Sequence, residues 1–163
     1  MSETRVGIGF DAHRFADGRR LVLGGVEIDH ARGLEGWSDA DALLHAIADA
    51  VLGAAALGDI GTHFPPTDPA WRDADSRELL AATVTLASRD GWRIANVDTT
   101  VLAEAPRIAP HVEAMRAAIA AACGIDPSGV SVKATTTEGM GFVGREEGIA
   151  ALAVVTLTRA AGA

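Results

Sequence analysis

The sequence predicts one domain in which β-strands and capped helices are mixed, and three observations predict it. Val6, Ile8 and Phe10 alternate with Gly7 and Gly9, the period-2 pattern of a strand with one buried face. Three amphipathic segments of helical length are bracketed by capping residues and glycines. The last apolar run, Ile149 to Thr158, is apolar on both faces, as in a strand buried twice over, central in a sheet or set against a subunit interface. With 163 residues and 48% hydrophobic content the chain suits a single core, and 1–163 reads as one domain without repeat, low-complexity tract or linker.

Composition excludes several classes. A net charge of -8 without any Lys/Arg cluster argues against a nucleic-acid surface, which needs a basic footprint. Cys123 is the only cysteine, so no intramolecular disulfide forms, in keeping with a reducing compartment. Met1 to Arg5 lacks the apolar run of a signal peptide, and no stretch approaches the roughly 18 apolar residues of a membrane span. The expectation is a cytoplasmic protein.

Taken in order, Leu21-Val22-Leu23, Gly24-Gly25 and Val26-Glu27-Ile28 predict a β-hairpin, because a Gly-Gly pair joins two short apolar runs. Residues 29–37, with glycines at 33 and 36 and no periodicity, predict a loop able to close over something. Ser38, with Asp41 three residues on, approximates a capping box for a helix running to about Leu57, before Gly58. Residues 57–69 are broken by glycines and prolines and exclude a long regular element. Asp75-Ser76 caps a second helix, about Arg77 to Arg89, with Gly91 as its stop. Trp92 to Ala103 reads as a strand through Ile94, Val97, Thr99, Thr100 and Val101. A third helix spans about Pro110 to Cys123, with proline at an allowed first position and Gly124 after its end. Val130 to Ala134 alternates as a strand and runs into Thr135-Thr136-Thr137-Glu138-Gly139, where hydroxyls, a carboxylate and glycines suit phosphate and a hard divalent cation. Threonines there are also simply good strand residues.

The sharpest chemistry lies in Asp11, His13 and His45. Asp11 and His13, two apart at a strand end, point the same way, and a carboxylate beside an imidazole begins a zinc site. The bland alternative is a surface histidine beside a turn aspartate. On the first helix Asp41, His45 and Asp49 recur at i, i+4 and i+8 along one stripe, opposite Leu43, Leu44, Ile47 and Val51. His45 supplies a third ligand, with Asp49 or Asp41 to hold its second ring nitrogen, unless the stripe is only a solvated face. From these residues alone the leading reading is a zinc hydrolase with water at the open position; the other is a metal-stabilised binding protein.

Gly9-Phe10-Asp11-Ala12-His13, Ser38-Asp39-Ala40-Asp41 through His45, Gly53 through Gly61 with Phe64-Pro65, Asp75-Ser76-Arg77, and Lys133 through Glu138 together resemble the 2-C-methyl-D-erythritol 2,4-cyclodiphosphate synthase family. The resemblance covers nearly the whole chain. It implies an α+β subunit with helices packed on one face of a mixed sheet, in a homotrimer whose sheets face the three-fold axis and whose active sites lie between subunits. It also implies the reaction: 4-diphosphocytidyl-2-C-methyl-D-erythritol 2-phosphate cyclises to the 2,4-cyclodiphosphate and releases CMP. The 2-phosphate attacks the β-phosphorus, so positioning and charge neutralisation dominate over acid-base chemistry.

Carried over by the resemblance, Zn2+ falls on Asp11, His13 and His45, and a second cation, Mg2+ or Mn2+, on Glu138 and the substrate phosphates. The cytidine pocket falls on Ala103, Pro106, Arg107, Ile108 and Ala109, and on Ala134, Thr135 and Thr136, the last also a catalytic position. Ser38 and Asp39 belong to a flexible substrate loop at about Gly36 to Ala40, while Asp59 and Gly61 match methylerythritol contacts. Thr137, Phe142 and Arg145 complete the implied substrate set. Arg145 and Glu147 also match positions that in some members face a trimer-axis cavity associated with isoprenoid diphosphates, though the residues themselves favour an interface ion pair. The chain departs from the family pattern in three places. Trp37 stands where a histidine is common, Pro66 where an aspartate is common, and Arg107 where lysine is frequent.

Overall fold

The computed structural model describes residues 2–160; Met1 and residues 161–163, which the one-domain reading includes, lie outside the described residues. In chain order the elements are β1 (Ser2–Ala16), β2 (Leu21–Leu23), β3 (Val26–Ile28), β4 (Gly33–Leu34), α1 (Ala42–Ala55), α2 (Ile60–His63), α3 (Ser76–Arg89), β5 (Arg93–Leu102), α4 (Val112–Cys123), β6 (Val130–Thr135), α5 (Gly141–Gly144) and β7 (Gly148–Ala160). Five strands form a mixed sheet in the order β4-β1-β7-β5-β6, antiparallel except for the parallel β5/β6 pair, and β2–β3 forms a separate hairpin. The architecture is α+β. No helix among the described residues is long and apolar enough to cross a membrane.

Which face of β1 turns inward is the opposite of the expectation. Val6, Ile8 and Phe10 are 65%, 71% and 56% exposed. Gly7 and Gly9 instead lie under α1, so close that a Cβ at either would overlap the carbonyl of Ala50 or Ala46. The helix meets the sheet backbone-to-backbone through Ala46, Ala50 and Ala54, all buried, and only glycine leaves room for that approach. Asp11 and His13 share the glycine face, so they point at α1.

β7, expected to be buried on both faces, is buried on only one in the single chain. It is central, as expected, between β1 and β5. Ile149, Ala151, Ala153, Val155 and Leu157 are buried on the helix side, but Leu152 and Val154 on the other face are 37% and 39% exposed. The register sets Phe10 opposite Leu152 and Ile8 opposite Val154, so the sheet carries one apolar patch uncovered in the single chain. Contiguous exposed apolar surface of this kind marks an interaction site.

α1 lies on β1 and β7, α4 on β6, and α3 packs across α1 and α4, with Leu80, Met115 and Ile119 fully buried between them. The cap of α1 is Asp41, not Ser38, and the helix starts at Ala42. The fully buried Asp41 carboxylate accepts from the N–H groups of Leu43 and Leu44 and also from those of Gly24 and Gly25. It therefore fastens the hairpin turn, where both glycines have positive φ, to the start of the helix. Three features differ from expectation: β1 runs on to Ala16, the expected loop 29–37 contains β4, which pairs with the end of β1, and the glycine-rich segment after β6 holds the short α5; the other boundaries move little. Ala56 ends α1 in the left-handed conformation, Pro110 sits in a 3-10 turn before α4, and two short helical pieces interrupt residues 57–71.

Candidate metal centre

Asp11 and His13, on β1, meet His45, on the first turns of α1. Asp11 Oδ2 lies 2.9 Å from His13 Nε2 and 3.1 Å from His45 Nδ1, and the two nitrogens are 3.2 Å apart. A tetrahedral ion with bonds of about 2.0–2.1 Å separates its ligand atoms by about 3.3 Å, so the three atoms already stand close to the face of such a polyhedron. All three residues are partly buried, and they are the group of three or more metal-ligating side chains found among the described residues.

The outer nitrogens are held as well. His13 Nδ1–H donates to the Glu35 carbonyl at 2.6 Å. His45 Nε2 lies 2.9 Å from the Ser76 hydroxyl and 3.2 Å from that of Ser38. Ser76 passes its own proton to Asp39 Oδ1, so it accepts from His45. With both outer nitrogens protonated and the imidazoles neutral, Nε2 of His13, Nδ1 of His45 and the Asp11 carboxylate turn lone pairs toward one another, and a cation satisfies all three at once. Without an ion, a proton takes that place: burial works to raise the Asp11 carboxyl, but hydrogen bonds from the protonated imidazoles of His13 and His45 outweigh it and hold it far below the usual range. Burial likewise depresses His13, and its bond to Asp11 more than reverses this, so the imidazole is pushed up. The donor set, one carboxylate and two imidazoles, fits a divalent metal with a position left open.

Around the triad lies a cavity of about 240 Å³ lined in part by Trp37, Ser38, Gly61, Phe64, Pro66 and Trp71. The stripe of Asp41, His45 and Asp49 does not act as expected. Asp41 is the helix cap, and Asp49 accepts the Ile60 N–H at 2.8 Å at the start of α2, so neither holds His45. That task falls to Ser76, which sequence reasoning treated only as part of a cap. Asp59 caps α2 through the Thr62 N–H and hydroxyl. The Gly36–Ala40 loop is laced to the 68–74 segment. Trp37 Nε1 donates to the Asp68 carbonyl, Asp73 N–H donates to the Trp37 carbonyl, and Asp39 N–H donates to that of Ala74.

The other expected site residues gather elsewhere. Ala103, Pro106, Arg107, Ile108 and Ala109 line one groove of about 420 Å³ with Ala134, Thr135 and Thr136. Parallel pairing of β5 and β6 sets Leu102 opposite Thr135, which brings the two segments together. Glu138 follows in a turn with φ +54°, its carboxylate 3.3 Å from the Thr136 hydroxyl. Phe142 lines a third cavity, of about 550 Å³, with His13, Arg14, Phe15 and Glu147, and Arg145 pairs with Glu147 at 2.7 Å within the chain. No described cavity is lined by both the triad and the Thr136 groove. Two strands, β7 and β5, separate β1 from β6 in the sheet.

A mixed sheet with helices on one face and a carboxylate–imidazole triad between its first strand and first helix defines an α+β protein whose triad fits a divalent metal. The YgbB family matches residues 4–158, and the chain belongs to that family, the 2-C-methyl-D-erythritol 2,4-cyclodiphosphate synthases. The synthase of Symbiobacterium thermophilum is 62% identical to it over 152 residues, 93% of this chain and 97% of that one. The bifunctional IspDF from Campylobacter jejuni superposes with a TM-score of 0.94 at 42% identity, covering 98% of this chain, which spans 43% of the bifunctional one. Plasmodium falciparum IspF, in a CDP complex, gives a TM-score of 0.83 at 32% identity over 96% of each chain.

Proposed function

We propose that this protein converts 4-diphosphocytidyl-2-C-methyl-D-erythritol 2-phosphate into 2-C-methyl-D-erythritol 2,4-cyclodiphosphate with release of CMP, a phosphorus–oxygen lyase of non-mevalonate isoprenoid precursor biosynthesis. The observation that carries the reading is the convergence of Asp11, His13 and His45 on one point in a chain 62% identical to a synthase of that name. In the reaction an oxygen of the 2-phosphate bonds to the β-phosphorus, and the bond from that phosphorus to the oxygen shared with the CMP phosphate breaks. CMP leaves with the electron pair; no water is consumed.

Asp11, His13 and His45 would hold Zn2+, and Glu138 would hold Mg2+ or Mn2+ with the substrate diphosphate. Bound there, the cations supply positive charge to a cluster of phosphates that the acidic chain itself cannot neutralise. The chain's own residues do the positioning. Ala103, Pro106, Arg107, Ile108 and Ala109 with Ala134, Thr135 and Thr136 receive the cytidine end, the Thr136 hydroxyl meets phosphate beside Thr137, and Asp59 and Gly61 face the methylerythritol. Ser38 and Asp39 close the pocket from the Trp37 loop, which its own hydrogen bonds hold in place before substrate arrives.

The reading includes a homotrimer with the site between subunits. Two features support it: the apolar sheet face of Val6, Ile8, Phe10, Leu152 and Val154, and the separation of the triad cavity from the Thr136 groove in one chain. Phe142 and Arg145 then lie where neighbouring copies meet. A cytoplasmic location completes it, supported by a sole cysteine, Cys123, that is free and buried.

The competing chemistry for the triad is hydrolysis. Running the reaction in 18O-labelled water separates the two: cyclisation leaves CMP and product unlabelled, whereas one labelled oxygen per turnover in either phosphate would reject the cyclase.

A further inference from the structure

The turn that carries Glu138 is held from outside by a carboxylate that the proposed reaction does not otherwise use. Thr137 to Met140 form a tight turn closed by Met140 N–H donating to the Thr137 carbonyl at 3.0 Å. Its central residues, Glu138 and Gly139, both have positive φ, +54° and +74°, the geometry of a type I′ turn. Glycine takes that conformation freely, whereas an L-residue such as glutamate takes it reluctantly, so something must hold it. Glu104, two residues beyond the end of β5, does so through a single oxygen. Its Oε1 accepts the Thr137 N–H at 2.9 Å and the Gly139 N–H at 3.3 Å, and lies 3.2 Å from the Thr137 hydroxyl. That hydroxyl has one proton and also lies 2.7 Å from the Met140 carbonyl, so it serves either partner.

The backbone explains why Glu104 reaches this turn. Ala103 N–H donates to the Thr135 carbonyl at 3.0 Å, which continues the β5–β6 pairing one residue past the strand and runs the two chain segments side by side. The Thr137 backbone bond is also the main cause that lowers the Glu104 carboxyl below its ordinary range, so the acceptor is the ionised form at neutral pH. The N–H groups of Thr137 and Gly139 converge on one anionic oxygen as in a backbone nest, here occupied by the chain's own side chain.

We propose that Glu104 is a positioning residue for the second cation: its Oε1 clamps the Thr137–Met140 turn in the left-handed conformation that presents the Glu138 carboxylate outward. The inference rests on the reading of Glu138 as the ligand of that cation. The clamp acts by geometry, through one acceptor oxygen, and a glutamine keeps an oxygen where an alanine does not.

The test is Mn2+ binding in the presence of CDP, followed by electron paramagnetic resonance, on the intact protein and on Glu104→Ala, Glu104→Gln and Glu138→Ala, with zinc content and thermal melting measured on each. Removing a partner that orients a metal ligand typically weakens the metal about 10- to 100-fold. Glu104→Ala should therefore lose Mn2+ affinity by about tenfold or more and raise the Mg2+ concentration for half-maximal activity by a similar factor. Glu104→Gln should stay within about threefold of the parent, and both should keep zinc and melting temperature. Glu138→Ala should bind no Mn2+ at this site and leave the free-ion sextet at full amplitude. If Glu104→Ala binds Mn2+ like the parent while Glu138→Ala does not, the clamp is refuted and the cation site stands. If Glu138→Ala retains parental Mn2+ binding, the cation site falls and the clamp with it. If Glu104→Gln falls as far as Glu104→Ala, charge and not the shared acceptor is at work, and the proposal is overturned.

Discussion

His45 illustrates how a ligand is aimed by a residue that no local pattern reveals. One ring nitrogen faces Asp11 and His13 and the other is fixed by Ser76, 31 residues away in sequence at the start of α3. The spacing of Asp11 and His13 along a strand was legible, and so was a histidine on the facing helix. The hydroxyl behind it was not, because helical periodicity nominated Asp41 and Asp49, both of which are spent on backbone N–H groups at helix starts. A Ser76→Ala substitution removes the acceptor that fixes the His45 tautomer. We expect the zinc dissociation constant to rise about 10- to 100-fold, read by competition with a chelating dye, with little change in melting temperature of the zinc-loaded protein. Unchanged affinity would show that the Ser38 hydroxyl suffices.

At the level of elements, the contact between β1 and α1 decides the fold. Alternation along Val6 to Phe10 correctly announced a strand with two unlike faces, but alternation alone does not say which face turns inward. The ordinary assumption that the larger apolar residues are inside fails here, because α1 brings the Ala46 and Ala50 carbonyls down onto Gly9 and Gly7. The alanines of α1 and the glycines of β1 are the paired signal that points to this close approach. Gly9→Ala should force strand and helix apart, at a cost of about 1–3 kcal/mol or more, seen as a fall in melting temperature of roughly 2–4 °C per kcal/mol for a chain of this length. Gly53, where a Cβ would meet no heavy atom within 4 Å, is the matched control, and Gly53→Ala should hold or raise stability. The hairpin, the three long helices and the β5 and β6 strands were each legible from turn glycines, caps and period. The start of α1 was not, because Ser38 and Asp41 both suit a cap and only the buried bonds to Gly24 and Gly25 distinguish them.

For the whole molecule, one chain presents two separate clefts and an uncovered apolar face. The metal triad is at one side of the sheet, and the groove of Ala103, Arg107 and Thr136 is at the other. The proposed assembly through the face of Ile8, Phe10, Leu152 and Val154 would account for both observations at once. Subunit complementation checks this. The His45→Ala and Glu138→Ala proteins should each be inactive, yet if the chain assembles as proposed, equal amounts unfolded and refolded together should recover about a quarter of the parental activity, the share of interfaces that pair one intact triad with one intact Glu138. No recovery would place the whole site within a single chain. The bland parts of the sequence reading were informative at this scale too, since a charge of -8 with no basic cluster leaves cations as the means of gathering a polyphosphate substrate.

The central claim is that the Asp11–His13–His45 centre serves a cyclisation. Phosphorus NMR of the purified, zinc-loaded protein with 4-diphosphocytidyl-2-C-methyl-D-erythritol 2-phosphate and Mg2+, beside a His45→Ala control, tests it most directly. We expect the substrate resonances to be replaced by those of CMP and a cyclic diphosphate, with no change in the control. A linear phosphate product, or equal turnover by the His45→Ala protein, would contradict the account.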